Sequence, residues 1–306
     1  MRDLIFSLFI AFIIMSALKP VVSFLEKRKI PRFLAVILVY LLALSTFGYL
    51  LFIIFPPLIK ESGIFFKQLP VIIGGLSPET SGIFNFDSIG KNVPNLTTIF
   101  FNFVRGTFSN VIFVITTIFF GLYFLLEEGF IKKILINFFK ETEAQVVVDI
   151  FDKAEKRMSA WVWGELVLMT VVGLLTFFGL SLIGMKFAIA LAVLAGLLEI
   201  IPNIGPIISA IPAILIGLSQ SYFLGFVNLI LYIFVQQLEN NLIVPLVMKK
   251  TVGLSPIVTL SALIIGGKLA GTLGIILAIP TTLFIETVLM EIIKTKNPKV
   301  AAGNLR

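Results

Sequence analysis

Glu199 stands three residues before Pro202 at the end of an apolar stretch, and Glu239 sits in Gln236-Gln237-Leu238-Glu239-Asn240-Asn241, which interrupts another. A carboxyl group among apolar residues is costly, and the chemistry open to it is to carry a proton or hold a cation. Glu199 has a second reading, as a carboxylate at the water boundary or one bonding the free backbone of a turn. In the polar cluster, helical spacing places Gln236 with Asn240 and Gln237 with Asn241 on neighbouring faces. Two polar faces suit a lined cavity, or they serve as interhelical hydrogen bonds that hold a bundle together. The turn Pro202-Asn203-Ile204-Gly205-Pro206 adds irregular backbone beside Glu199. The candidate substrate- or ion-binding residues are therefore Glu199, Asn203, Gly205, Gln236, Gln237, Glu239, Asn240 and Asn241. Glu165 and Glu286 are secondary: Glu165 lies one turn from the expected end of an apolar run, and Glu286 follows Pro280, where it can snorkel or bond another helix. Lys268 marks an exposed turn. Pro212, Pro245 and Pro280 free the carbonyls of Ile208, Asn241 and Ile276, which then need protein, water or an ion unless the kinks serve packing alone.

Catalysis is excluded by subtraction. The chain has no histidine and no cysteine, which removes rhomboid-like and zinc proteolysis, thiolate chemistry and the commonest metal ligands. Asp3, Asp87, Asp149 and Asp152 all fall outside the apolar runs, so intramembrane aspartyl proteolysis lacks its pair. No G-x-x-x-x-G-K-[ST] motif is present. A non-enzymatic carrier or channel without cofactor or metal remains, gradient-driven if it is a carrier.

The elements that must position these residues are membrane helices. Of 306 residues, 58% are hydrophobic and 13% charged, with a mean hydropathy of +1.08, which no soluble core of this size could hide. The net charge of +7 comes from Lys and Arg at the ends of apolar runs, a topology signal rather than a nucleic-acid surface. Spans are expected at Leu4–Leu25, Pro31–Phe55, Asn110–Leu126, Trp161–Ile183, Tyr222–Val247 and Thr272–Met290. Two apolar pieces are short: Phe187–Gly217, broken at Pro202–Pro206, and Ser255–Gly267, which ends in a Gly-Gly pair. Leu4–Leu25 is too long for a signal-peptide core and ends on Glu26-Lys27-Arg28-Lys29, so it is retained.

The fold class is thus all-α, a polytopic membrane helix bundle with two short or re-entrant Pro/Gly-broken hairpins. Residues 1–55 form an N-terminal helix pair, 56–109 an extracytoplasmic amphipathic cap, and 110–126 a further span. Residues 127–160 form a cytoplasmic amphipathic helical segment opened by Thr142 and Gln145. Residues 161–293 make the transport core and 294–306 a cytoplasmic tail. The positive clusters can all be cytoplasmic at once, which puts Met1 outside in a multi-pass cell-membrane protein. Ile207–Leu215 and Ile275–Leu283 are similar in sequence, either by a shared packing need or as a duplicated hairpin. Both hairpins are expected to meet in the bundle interior, with Asn203–Gly205 and Gln236–Asn241 facing one polar cavity.

Glu199-Ile200-Ile201-Pro202-Asn203-Ile204-Gly205-Pro206, Gln237-Leu238-Glu239-Asn240-Asn241-Leu242-Ile243-Val244-Pro245 and Val252-Gly253-Leu254-Ser255-Pro256 together resemble the AI-2E (autoinducer-2 exporter, PerM-like) family. Gly271-Thr272-Leu273-Gly274 with Ala278-Ile279-Pro280 fits the same pattern, and Lys29-Ile30-Pro31-Arg32 extends it toward the start. The resemblance implies an inner-membrane, homo-oligomeric permease, a secondary transporter in contact with membrane lipid. Its cargo would be a small quorum-sensing molecule of the autoinducer-2 type, or sodium or lithium exchanged for protons. Members have a further transmembrane helix before the one that starts here at Leu4, which implies a truncated N-terminus. A structural or regulatory membrane protein without flux is the remaining class. It predicts that neutral substitutions at Glu199 and Glu239 change no phenotype.

Overall fold

The computed structural model describes residues 2–46, 48–49, 52, 111–127, 129, 133, 136, 141–248 and 253–296. The cap expected over 56–109 lies outside these residues, as do most of 128–140, the pair Lys249-Lys250, Val252 and the tail from 297 onward. Among the described residues all regular structure is helical: α1 (Arg2–Lys27), α2 (Arg32–Thr46), α3 (Val111–Leu126), α4 (Glu141–Leu182), α5 (Ala188–Leu198), α6 (Ile204–Gln220), α7 (Tyr222–Leu238), a π turn (Glu239–Ile243), α8 (Val244–Met248) and α9 (Pro256–Lys296).

Four stretches are long and apolar enough to cross a bilayer, Leu4–Lys27, Ala144–Leu182, Tyr222–Met248 and Leu273–Lys294, each exceeding the ~20 residues a hydrocarbon core requires. The other two expected spans appear as the shorter described helices Arg32–Thr46 and Ile112–Leu126. Large apolar side chains point outward along the helices, Leu182 at 89% exposure and Ile112 and Ile257 at 77%, as lipid-facing surfaces do. Both short hairpins are present. In α9 the break falls not at the Gly266-Gly267 pair but at Ala270 and Gly271, where Gly271 takes φ 59°, so Lys268 is exposed but helical and not in the turn expected for it. The two arms then fold back so closely that a Cβ on Gly274 would lie 1.9 Å from the Gly266 carbonyl oxygen.

The boundary expected at residue 160 falls inside α4, which runs unbroken for 42 residues, about 63 Å at 1.5 Å per residue. Met158-Ser159-Ala160-Trp161 contains neither Gly nor Pro, so nothing stops the amphipathic half from continuing into the apolar half. That length is roughly twice the hydrocarbon thickness.

The chain divides into two compact units, the first comprising Met1–Leu44, Ile112–Gly164 and Met248–Arg306, the second centred on Glu165–Val247. In the first unit α1 ends where Lys29 takes φ 66°. Ile30 N–H then reaches the Leu25 carbonyl and Lys29 N–H the Glu26 carbonyl, at 3.3 and 2.9 Å, and Pro31 prevents continuation. Arg32 caps the end of α3 by donating to the Leu125 and Leu126 carbonyls at 2.8 and 3.2 Å. Phe12, Phe151 and Phe284 pack ring against ring at 5.4 to 5.9 Å, joining α1, α4 and α9. The same three helices are pinned by ion pairs, Lys19 with Glu155 at 2.6 Å and Arg157 with Glu286 at 2.7 Å. Glu286 therefore bonds another helix, one of the two roles open to it from sequence.

Glu155 is buried, so truncating it strands the Lys19 ammonium. Glu155→Ala is expected to cost on the order of 2 kcal/mol, less than for a fully buried pair because the Lys19 side chain stays 29% exposed. Lys19→Met with Glu155→Leu should recover most of that. Thermal unfolding in detergent checks it, and an equal loss in the double variant contradicts it.

In the second unit α4 ends on Gly184 at φ 74°, with Met185 N–H on the Leu180 carbonyl at 2.9 Å and Gly184 N–H on Ser181 at 3.1 Å. Leu180 and Met185 then enter one core with Leu191, Ala195, Ala213, Ile216 and Tyr232. Ser221 is the N-cap of α7, its hydroxyl accepting from Leu224 N–H at 3.1 Å, and the α6–α7 hairpin closes on backbone contact between Gly217 and Gly225.

Candidate functional site

The second unit gathers three glutamates. Glu199 is 2% exposed, Glu165 4% and Glu239 5%. The Glu199 and Glu239 carboxyls lie within hydrogen-bonding reach of each other, and Glu165 interacts electrostatically with both. No protein donor among the described residues reaches Glu165 Oε1, Glu199 Oε2 or Glu239 Oε2. A buried carboxyl oxygen normally has a donor, so three open ones in a single cluster make these carboxyls the candidate site.

Glycines set the register that brings them together. α4 and α5 cross backbone to backbone: a Cβ on Gly196 would lie 2.7 Å from the Met169 carbonyl oxygen and 3.3 Å from the Gly173 Cα. Glu165 is one turn before Met169, and Glu199 nearly one turn after Gly196. Small residues at a helix crossing let the axes approach and fix which turns face each other. On the other side of α4, a Cβ on Gly179 would meet the Leu231 side chain of α7 at 2.4 Å.

The turn holding Glu199 is tight. Glu199 N–H bonds the Ala195 carbonyl at 3.1 Å, and Ile204 N–H bonds the Pro202 carbonyl at 2.8 Å across Asn203. Asn203 has φ 66° and ψ −35°, a positive-φ γ-turn of the rare, strained type. Gly205 N–H then reaches the Ile201 carbonyl at 2.8 Å. A Cβ at Gly205 would sit 1.9 Å from the Leu198 carbonyl oxygen, so the turn closes only on glycine.

Glu239 is positioned by the π turn. Pro245 has no amide to continue an α-ladder, and Val244 N–H reaches back to the Glu239 carbonyl instead. Of the eight residues singled out from sequence, the structure buries Glu199, Gly205 and Glu239 and half-buries Gln236, while Asn203, Gln237, Asn240 and Asn241 are exposed. Asn241 Nδ2 donates to the Gln237 carbonyl at 2.9 Å and to Gln237 Oε1 at 2.8 Å, a local pair. Asn203 contributes its backbone to the turn, while its side chain is exposed. Glu165 joins the cluster from a secondary rank, and the sequence signal for it was the general one, an ionisable group in an apolar run.

The chain matches a family model described as AI-2E family transporter over residues 1–294. It is 28% identical to the provisionally named transport protein YueF of Bacillus subtilis, over 95% of this chain and 85% of that protein. It is also 28% identical to the provisionally named transport protein YhhT of Escherichia coli K12, over 92% and 82%. The AI-2 transport protein TqsA of Escherichia coli K12 is 32% identical over 40% of this chain and 36% of that protein.

Proposed function

Since the chain belongs to the AI-2E transporter family, and is on that ground a multi-pass membrane transporter, we propose that it uses the proton gradient to export a small signalling molecule of the autoinducer-2 type. The Glu199–Glu239 pair is the proton site in this reading.

The observation that carries it is the pair itself: two buried carboxyls within hydrogen-bonding reach, with Oε2 atoms that no protein donor among the described residues approaches. Two carboxylates have no hydrogen to share, so such a pair is held by a proton between them or by a cation. Proton binding and release at the pair can then be tied to alternating access, with substrate moving against the proton. The cargo is supported by the likeness to TqsA, which is named for AI-2 transport. Sodium–proton antiport is the second reading, favoured by the third carboxyl, Glu165, beside the pair. The proton is preferred as occupant because the Glu199 and Glu239 carboxyls lie within direct hydrogen-bonding reach of each other, as a shared proton requires. The same reading places the Lys/Arg-rich segments and the C-terminus in the cytoplasm, the chain in the plasma membrane, and several copies in a homo-oligomer.

Flux into proteoliposomes decides between these, with proton and sodium gradients imposed separately. The proposal expects uptake of autoinducer-2 that follows the pH gradient and persists without sodium. Proton movement that requires sodium or lithium and ignores autoinducer-2 selects antiport, and no flux of any kind overturns both.

A further inference from the structure

The same unit holds a second set of open polar atoms. Asn228 is fully buried and Tyr232, one turn along α7, is 7% exposed. Asn228 Nδ2 donates to the Ala213 carbonyl at 3.0 Å and to Met185 Sδ at 3.1 Å. Its Oδ1, however, and the Tyr232 hydroxyl have no partner among the described residues. Both lie against one core, since Met185, Ala213 and Tyr232 pack together.

Thr176 on α4 makes a third. Thr116, Thr117, Thr170, Thr281, Thr282 and Thr287 each return their hydroxyl to the carbonyl four residues back, the usual refuge of a helical threonine in an apolar setting. Thr176 does not, although it is 1% exposed. It sits one turn before Leu180, which belongs to the core around Tyr232.

Spacing places these atoms relative to the carboxyls. Glu165 of α4 interacts electrostatically with Glu239 in the π turn that follows α7, and Gly179 of α4 faces Leu231 of α7, so the two helices run antiparallel. Thr176 is eleven residues along α4 from Glu165 and Asn228 eleven from Glu239, about 16 Å along each helix. Measured from the Gly179–Leu231 contact, Thr176 stands about 4.5 Å toward the carboxyls and Asn228 about 4.5 Å away from them. Tyr232 lies between those levels. It also shares a core with Ala195, whose carbonyl bonds Glu199 N–H.

We propose that Thr176, Asn228 and Tyr232 form a polar station that passes protons through bound water between the carboxyl cluster and the other end of the unit. This rests on the reading of Glu199 and Glu239 as the proton site. In each transfer, a water or hydroxyl oxygen accepts one proton on a lone pair and releases its own to the next oxygen, so no group changes its net protonation. Asn228 Oδ1 accepts only and orients the chain of donors. The gap along the helices is too long for a direct bond, and water is the bridging species, held by the open oxygens.

Proton flux is measured in proteoliposomes carrying an internal pH dye, alongside the infrared carboxyl signal of the purified protein on acidification. Tyr232→Phe and Thr176→Val each remove one hydroxyl at nearly constant shape. Each should slow flux roughly tenfold, the loss of one buried hydrogen-bonded link, and leave the carboxyl signal unchanged. Thr176→Ser keeps the hydroxyl and should restore the rate. Wild-type flux in both hydroxyl deletions, with Glu239→Gln inactive, overturns the station and leaves the carboxyl site standing. A Thr176→Ser protein as slow as Thr176→Val also overturns it, since packing then accounts for the loss. Full flux and an unaltered carboxyl signal in Glu199→Gln and Glu239→Gln sink the proton-site reading and the station with it.

Discussion

Glu239→Gln is expected to bring pH-driven flux down to that of protein-free vesicles while the amount of folded protein in the membrane holds. The substitution keeps side-chain shape and removes the group that binds and releases a proton. It also supplies an amide N–H that can donate to Glu199, so the buried pair stays bonded and thermal stability should be equal or higher by about 1 kcal/mol. A structural role predicts the reverse, a loss of stability with flux proportional to surviving protein. Glu199→Gln should behave in the same way. Glu165→Gln should give a smaller loss, because Glu165 acts on the pair through its field and not through a direct bond. Wild-type flux with unchanged pH dependence in both pair variants counts decisively against the assignment.

Gly205→Ala is expected to destroy transport and stability together. The added methyl would fall 1.9 Å from the Leu198 carbonyl oxygen and 3.2 Å from the Glu199 amide nitrogen. Both are backbone atoms that no rotamer change can clear. The turn has to open, and Glu199 moves with it. Overpacking of this kind costs about 3 kcal/mol, and the melting temperature in detergent should fall accordingly. Gly48→Ala is the control, since a methyl there meets nothing within 4 Å among the described residues. Near-normal flux and melting in Gly205→Ala would show that the tight turn is dispensable.

The helical membrane class, both broken hairpins and the two central carboxyls were legible in the sequence, because each depends on local composition. Glu199 and Glu239 are ionisable groups in apolar runs, and Pro202–Pro206 is a break whatever surrounds it, whereas the second break was expected at Gly266-Gly267 and falls at Ala270 and Gly271. A shared site for the two was expected from the broken hairpin and the polar cluster, but the place of Glu165 beside Glu199 was not legible, because it depends on the crossing of Gly173 with Gly196, two glycines that carry no mark of belonging together. Glu165 ranked low for a related reason. A span assumed to begin at Trp161 put it near an end, whereas α4 passes through without a breaker and leaves it in the middle of a helix. The Gln236–Asn241 cluster showed a different limit. Helical periodicity correctly joined Gln237 with Asn241, but it could not say which face turns inward, and the π turn imposed by Pro245 gives that place to Glu239. Tyr232 and Asn228 were open to the same test as the glutamates, being polar groups in the apolar run from Tyr222. They became conspicuous only once their oxygens were found without partners.

The backbone contact between Gly266 and Gly274 bears on how the chain enters the membrane. The first arm of that hairpin, Pro256–Gly271, is shorter than a lone span needs to be, and its glycine face has nothing to rest on until Gly274 has been synthesised. The two arms must therefore integrate as one unit, the second carrying the first. Placed alone behind a soluble domain, residues 253–271 should remain extractable by alkali and residues 253–294 should resist it, whereas the whole chain is held at either length by its earlier spans.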